Sequence, residues 1–190
     1  MSKVPTKVVI LGSSGVGKTS ILLQIYKEKF FSNGEPTIGA SYVIKTLQTK
    51  DGKLVEVHFC DTAGQERFKC IVPMYIRGSQ AIILVCSVDD SDSIDNLESW
   101  YDLAKEHNRD FILYVLMNKC DLDVKDDNRA KEWAESKGAQ FFKITAKEHE
   151  SIEPFLEKLA DDISKLKVEL RKCDVTNVEE TSERKSKCCS

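Results

Sequence analysis

The chain has 190 residues, 41% hydrophobic and 31% charged, an ordinary globular composition that argues against disorder and fits one domain burying about 70% of its unfolded surface. Net charge is only −3, so no overall basic field favours nucleic acid. The seven cysteines are odd in number, follow no secretion signal, and read as thiols in a reducing cytosol.

The opening MSKVPTKVVILG lacks the apolar length of a signal peptide, and KVVILG, within residues 3–12, reads as a buried strand followed by a helix through about Lys27. SYVIKTLQT and KLVEVHF flank KDG, where Asp51-Gly52 signals a hairpin. AIILVCSV (81–88), FILYVLMN (111–118) and AQFFKIT (139–145) are short apolar runs suited to strands of a sheet covered on both faces. Such runs are far below the roughly 20 residues that span a bilayer. Helical patterns fall at about 92–107, at about 126–137 with Gly138 as terminator, and from Ser151 onward. In the last, Ile152, Phe155, Leu156, Leu159, Ile163 and Leu166 form a stripe at three-to-four spacing. Strands alternating with helices, plus one hairpin, predict a doubly wound α/β fold. Its sheet should be mostly parallel, six-stranded, with one antiparallel strand and about five helices. No internal repeat is visible. From Cys173 onward apolar residues almost vanish, so 173–190 reads as a disordered tail.

GSSGVGKTS (12–20) fits the phosphate-loop pattern between a predicted strand and a predicted helix, the context it requires. Its glycines let successive backbone N–H groups turn inward toward phosphate oxygens, and the helix start adds its positive dipole end. The loop residues Ser13, Ser14, Gly15, Val16, Gly17, Lys18, Thr19 and Ser20 are therefore assigned to the nucleotide. Lys18 would neutralise the β- and γ-phosphates and Thr19 would offer a hydroxyl to Mg²⁺.

A phosphate loop does not separate ATP from GTP. NKCD (118–121) follows a buried strand at the edge where doubly wound folds bind ligands. Asp121 there could accept from both N1–H and the 2-amino group of guanine, a donor pair that adenine lacks. In CDTAGQERF (60–68), Asp61 would hold Mg²⁺ through water, Gly64 would place its N–H on the γ-phosphate, and Gln65 would orient the attacking water.

Over about residues 5–170 the chain resembles a small GTPase of the Ras superfamily, and within it the Rab family: GSSGVGKT, PTIG, DTAGQERF, NKCD and TAK (145–147) occur in that family's order and spacing. TIGASY, AGQERF and YIRGS (75–79) carry the Rab character. The resemblance implies a P-loop NTPase domain over 1–172, with Thr37 ligating Mg²⁺ and the γ-phosphate and assisting Lys18 and Gln65 in catalysis. It implies Phe30 beside the base, and Asn118, Lys119, Thr145, Ala146 and Lys147 around the guanine pocket. Two departures stand out. Cys60 occupies the place where Rabs usually carry a tryptophan, beside Tyr42 and Tyr75, so standard Rab effectors are expected to bind poorly. LVCSVDDSDSI (84–94) lacks the Tyr-Asp usual at that strand end.

No arginine in NGEPTIGASY (33–42) can stabilise transition-state charge, and Arg67 follows Gln65 at a position the family does not use for that purpose. Intrinsic hydrolysis is therefore expected at about 10⁻⁴ to 10⁻³ per second, raised some 10³- to 10⁵-fold, in round figures, by an activating protein. Ser14, often Gly in related proteins, reads equally as a brake on turnover or as neutral.

The end SERKSKCCS lacks cysteine at the fourth position from the end, which C-a-a-X prenylation needs, because Lys187 is there. Cys188 and Cys189 instead resemble the double-cysteine ends of Rabs that accept two geranylgeranyl groups, and two chains are what stable anchoring takes. Arg184, Lys185 and Lys187 would add attraction to anionic lipid. The expected protein is a monomeric switch on the cytoplasmic face of an intracellular membrane, with a cytosolic pool. Its partners would be an exchange factor, an activating protein, effectors, and Rab escort and GDP-dissociation-inhibitor proteins. Rival readings are a P-loop ATPase or kinase, disfavoured by NKCD and TAK; a scaffold that holds GTP unhydrolysed, disfavoured by Gln65; and a plasma-membrane signalling switch, disfavoured by CCS and TIGASY.

Overall fold

The computed structural model describes residues 6–28, 40–62, 71–122 and 128–166. Its strands are β1 (Thr6–Leu11), β2 (Ala40–Gln48), β3 (Leu54–Thr62), β4 (Ala81–Ser87), β5 (Ile112–Asn118) and β6 (Gln140–Lys143). Helices α1 (Lys18–Lys27), α2 (Val72–Ile76), α3 (Ser91–Asp95), α4 (Leu97–His107) and α5 (Arg129–Ser136) lie between them, and α6 spans 149–166. The sheet order is β2-β3-β1-β4-β5-β6; β2 runs antiparallel to β3 and the other neighbouring pairs are parallel. This is the expected doubly wound fold.

Period-two alternation explains why central strands read as unbroken apolar runs. Every residue of β4 is buried, with Ala81, Ile83 and Val85 entering one core and Ile82, Leu84 and Cys86 the other. The first core lies under α1 and α6 and takes Ile21, Ile25, Phe155, Leu159 and Ile163 from them. The second lies under α2, α4 and α5 and takes Val72, Ile76, Trp100, Ala104, Ala130 and Ala134. A sheet buried on both faces has no polar side to alternate with.

The structure refines several boundaries. The hairpin turns through three residues, Lys50-Asp51-Gly52: Gly52 N–H donates to the Thr49 carbonyl at 2.9 Å and Thr49 N–H to the Lys53 carbonyl at 2.9 Å, with Gly52 left-handed at φ 80°. The helix expected over 92–107 is divided at Asn96, whose ψ of −7° departs from helical geometry and whose side-chain amide donates to Ser13 Oγ at 3.5 Å. Asp90 caps α3 by accepting from Ser93 N–H. The helix expected over 126–137 is described from Arg129; it ends in a Schellman motif, with Ala139 N–H on the Ala134 carbonyl (2.8 Å), Gly138 N–H on Glu135 (3.1 Å) and Gly138 at φ 67°. The five-residue α2 carries no periodic signal, and Pro73 lies in its first turn, where a missing N–H costs nothing. The last helix starts two residues ahead of Ser151, whose hydroxyl accepts from Thr145 N–H at 3.0 Å.

Because β1 pairs with both β3 and β4, the chain leaves β1 at the point where the winding direction reverses. Doubly wound sheets open their ligand crevice there, beyond the carboxyl ends of the strands.

Candidate functional site

The parallel strands deliver the predicted residues to that same edge, and with them Asp89, which no motif singles out. The loop after β1 carries 12–17, β3 carries Asp61, the turn after β4 carries Asp89, β5 ends in Asn118, and the segment after β6 carries Thr145, Ala146 and Lys147. Residues scattered over 136 positions thus converge because the sheet is parallel, not because they are near in sequence.

Asn118 joins two of these segments. Its Nδ2 donates to the Val16 carbonyl at 2.8 Å, and its Oδ1 accepts from Ala146 N–H at 3.0 Å. Val16 and Asn118 are both buried, so these bonds form away from competing water. Gly17 explains the closeness: a Cβ there would sit 2.2 Å from Asn118 Nδ2, and its φ of 94° disfavours side chains. Only glycine lets the loop lie against this amide.

Lys18 opens α1 and is 5% exposed. Its Nζ donates to the carbonyls of Gly12 (2.9 Å) and Ser13 (2.7 Å), folding the cation back into the loop. Burial pushes its pKa down to about 8, with Asp61 opposing that shift. Thr19 Oγ1 donates to Asp61 Oδ2 at 2.6 Å, while Asp61 itself is fully buried. A hydroxyl and a carboxylate side by side are hard oxygen donors of the kind Mg²⁺ uses, and Mg²⁺ keeps water and phosphate for its other positions. Among the described residues no cluster of three or more His, Cys, Asp or Glu could hold a metal without such help. The donor set fits Mg²⁺.

Asp121 accepts from Thr145 Oγ1 at 2.6 Å on one oxygen and from Lys147 Nζ on the other. The Lys147 bond, then the Thr145 bond, hold its carboxyl below the usual range. An ionised carboxylate offers about four acceptor sites, so both bonds leave acceptor capacity facing the cleft. That cleft, of about 150 Å³, is lined by Gly15, Gly17, Asn118, Lys119, Asp121, Ala146 and neighbours. Leu122, half-exposed, is a lining residue the sequence reading missed; adjacency to Asp121 was its one available signal. Phe30, Thr37, Gly64, Gln65, Cys188 and Cys189 lie outside the described residues.

Cys60 is fully buried, and burial pushes its thiol up to about 11. Above it Tyr42 is exposed; its ring meets His58 edge-on at 5.7 Å and its hydroxyl lies 3.1 Å from His58 Nδ1. His58 Nε2 in turn lies 2.8 Å from Glu56. Tyr75 is half-buried against the second core.

The Ras family model matches residues 7–165. The chain is 35% identical to the Ras-related protein SEC4 of Candida albicans over 167 residues, 86% of this chain and 79% of that one. It is 39% identical to the Ras-related protein Rab-31 of Rattus norvegicus over 164 residues, 84% of each chain. This chain is a Rab-like small GTPase of the Ras family. The similarity to the Ras-related protein Rab-7a of Dictyostelium discoideum, 38% over 199 residues, covers 98% of both chains. As in the rest of its family, the activity of this Rab-like protein is GTP hydrolysis.

The buried lysine gives this GTPase a pH signature. Below pH about 8 Lys18 stays charged at the cost of its desolvation. Between about 8 and 10.5 the folded chain gives up a proton that the unfolded chain keeps, so stability rises with pH. Relative to Lys18→Met, the nucleotide-free wild type should gain up to about 1.4 kcal/mol per pH unit above pH 8. Urea unfolding of both forms from pH 7 to 9.5 measures this, and parallel pH profiles would refute it.

Proposed function

We propose that this protein is a guanine-nucleotide switch that binds GTP or GDP with Mg²⁺, hydrolyses GTP slowly and acts in vesicle traffic. The observation that carries it is the joining of phosphate loop and residues 145–147 through Asn118, with Asp121 held by Thr145 and Lys147, around one cleft. Asp121 would take the two guanine donors, with Ala146 and Lys147 beside the base and Phe30 flanking it. The loop N–H groups of 13–20 would cradle the phosphates. A phosphate anion beside Lys18 would favour its charged form and reverse the cost of its burial.

Thr19 and Thr37 would ligate Mg²⁺, and Asp61 would hold it through water. When bound, the ion neutralises charge developing on the phosphates. Gln65 would orient the attacking water, and Gly64 N–H would meet the γ-phosphate. With no cis arginine in 33–42, an activating protein would supply the missing charge. Loss of the γ-phosphate would release Thr37 and Gly64, and effectors would read the change around residues 34–42 and 64–77. On that face Tyr42, His58 and Glu56 present a polar chain over buried Cys60, which favours effectors other than those that grip an indole.

The domain of 1–172 would be tethered by the tail of 173–190, geranylgeranylated at Cys188 and Cys189. This puts the protein on the cytoplasmic face of an intracellular membrane, with a cytosolic pool, an exchange factor, and escort and GDP-dissociation-inhibitor partners.

Calorimetry of the magnesium-loaded, nucleotide-stripped protein should show GDP binding at least a hundredfold tighter than ADP, a modest share of what a site built for specific donors can reject. Equal affinities would end the guanine reading. In single-turnover assays Gln65→Leu should slow GTP hydrolysis at least about tenfold; an unchanged rate removes Gln65 from the mechanism. Mass spectrometry of the natively expressed protein should find two C₂₀ isoprenoid additions on the C-terminal peptide, and unmodified Cys188 and Cys189 would contradict the tether.

A further inference from the structure

The stretch LVCSVDDSDSI lacks the usual Tyr-Asp. In the fold it becomes a tightly tied turn. Ser87 N–H donates to Ser93 Oγ at 3.0 Å, Ser93 Oγ donates to the Asp90 carbonyl, and Val88 N–H donates to the Asn118 carbonyl at 3.1 Å. The turn is thereby fixed both to α3 and to the end of β5. Asp89 stands on it. One of its oxygens accepts from the buried Ser87 hydroxyl, and the other accepts from Lys119 Nζ at 2.9 Å.

Lys119 is the second residue of NKCD and lines the same cleft as Asp121. Its backbone sits in the left-handed region, at φ 61°, so its side chain leaves the main chain in a direction fixed by the turn. With Nζ held on Asp89, the four-carbon stem is fixed at both ends. An untethered lysine samples many rotamers and must be ordered afresh each time a ligand packs on it.

We propose that Asp89 is a positioning residue for nucleotide binding: through its ion pair it holds the Lys119 stem as a preformed wall against the purine ring. This rests on the guanine reading of the cleft given above. The competing account is a solvated ion pair with no bearing on the ligand, since the two side chains are 36% and 34% exposed. The two accounts differ in what the dissociation rate does. A stem packed on the ring face does not sense the 2-amino group, so loss of the tether speeds release of guanosine and inosine diphosphates alike and leaves their ratio unchanged. Loss of an Asp121 contact changes that ratio.

The test measures release of GDP and of inosine diphosphate from the full-length protein with Mg²⁺ present. Asp89→Ala should release both about three- to fivefold faster, the size expected of a partly exposed ion pair. Asp89→Asn, which keeps the shape and the Ser87 bond but loses the charge, should fall between and covers the case in which alanine impairs folding. In the Lys119→Met background, Asp89→Ala should add nothing further. A wild-type release rate in both Asp89 variants overturns the proposal, as does an equal acceleration in the Lys119→Met background or a changed ratio between the two nucleotides. If the wild-type protein binds GDP no better than ADP, the guanine reading itself fails and this one with it; if it binds GDP selectively and the Asp89 variants behave as wild type, only the positioning role falls.

Discussion

The arrangement depends on one buried amide. Asn118 ends β5 and holds the phosphate loop by the Val16 carbonyl on one side and the segment after β6 by Ala146 N–H on the other. Neither segment is a regular element, and each would otherwise carry buried backbone groups without partners at a cost of about 1–3 kcal/mol apiece. Asparagine suits the position because one planar group offers a donor and an acceptor in opposite directions. An aspartate could not donate, and a glutamine would put the amide one methylene further, where the loop at Gly17 already leaves no room.

Around that amide the sheet sets the distances. Parallel strands end together, so side chains at the ends of β1, β3, β5 and β6 come within reach with no long loop to order. Burial on both faces makes the edge rigid, and it also makes charges there expensive. Lys18 shows the cost in its depressed pKa, and Asp61, fully buried, is matched by the Thr19 hydroxyl. A site that keeps its charged groups desolvated is organised in advance for a charged ligand.

Much of this was legible in the chain because two signals agreed. Apolar runs in β1, β4 and β5 gave strands buried on both faces, and the motifs sat at their ends in the order that parallel winding requires. The helix stripe of Ile152, Phe155, Leu159 and Ile163 enters the core as its spacing implies. What sequence could not supply was geometry spread over distant segments. Nothing in Asn118 announces that both ends of its amide are used within the protein, and nothing in Asp89 announces Lys119 as its partner thirty residues on. The break at Asn96 and the short α2 escaped because neither disturbs apolar periodicity over a full window.

The β2–β3 ribbon has a structural consequence. Its nine cross-strand pairs run from Ala40–Thr62 to Gln48–Leu54, and beyond its far end Lys50 N–H is moored to Asp161 of α6 at 3.0 Å. One end of the ribbon thus abuts the carboxylate of Asp61, and the other is pinned roughly the length of the sheet away. The ladder thus forms a continuous hydrogen-bonded path from the strand end that carries Asp61 to the last helix.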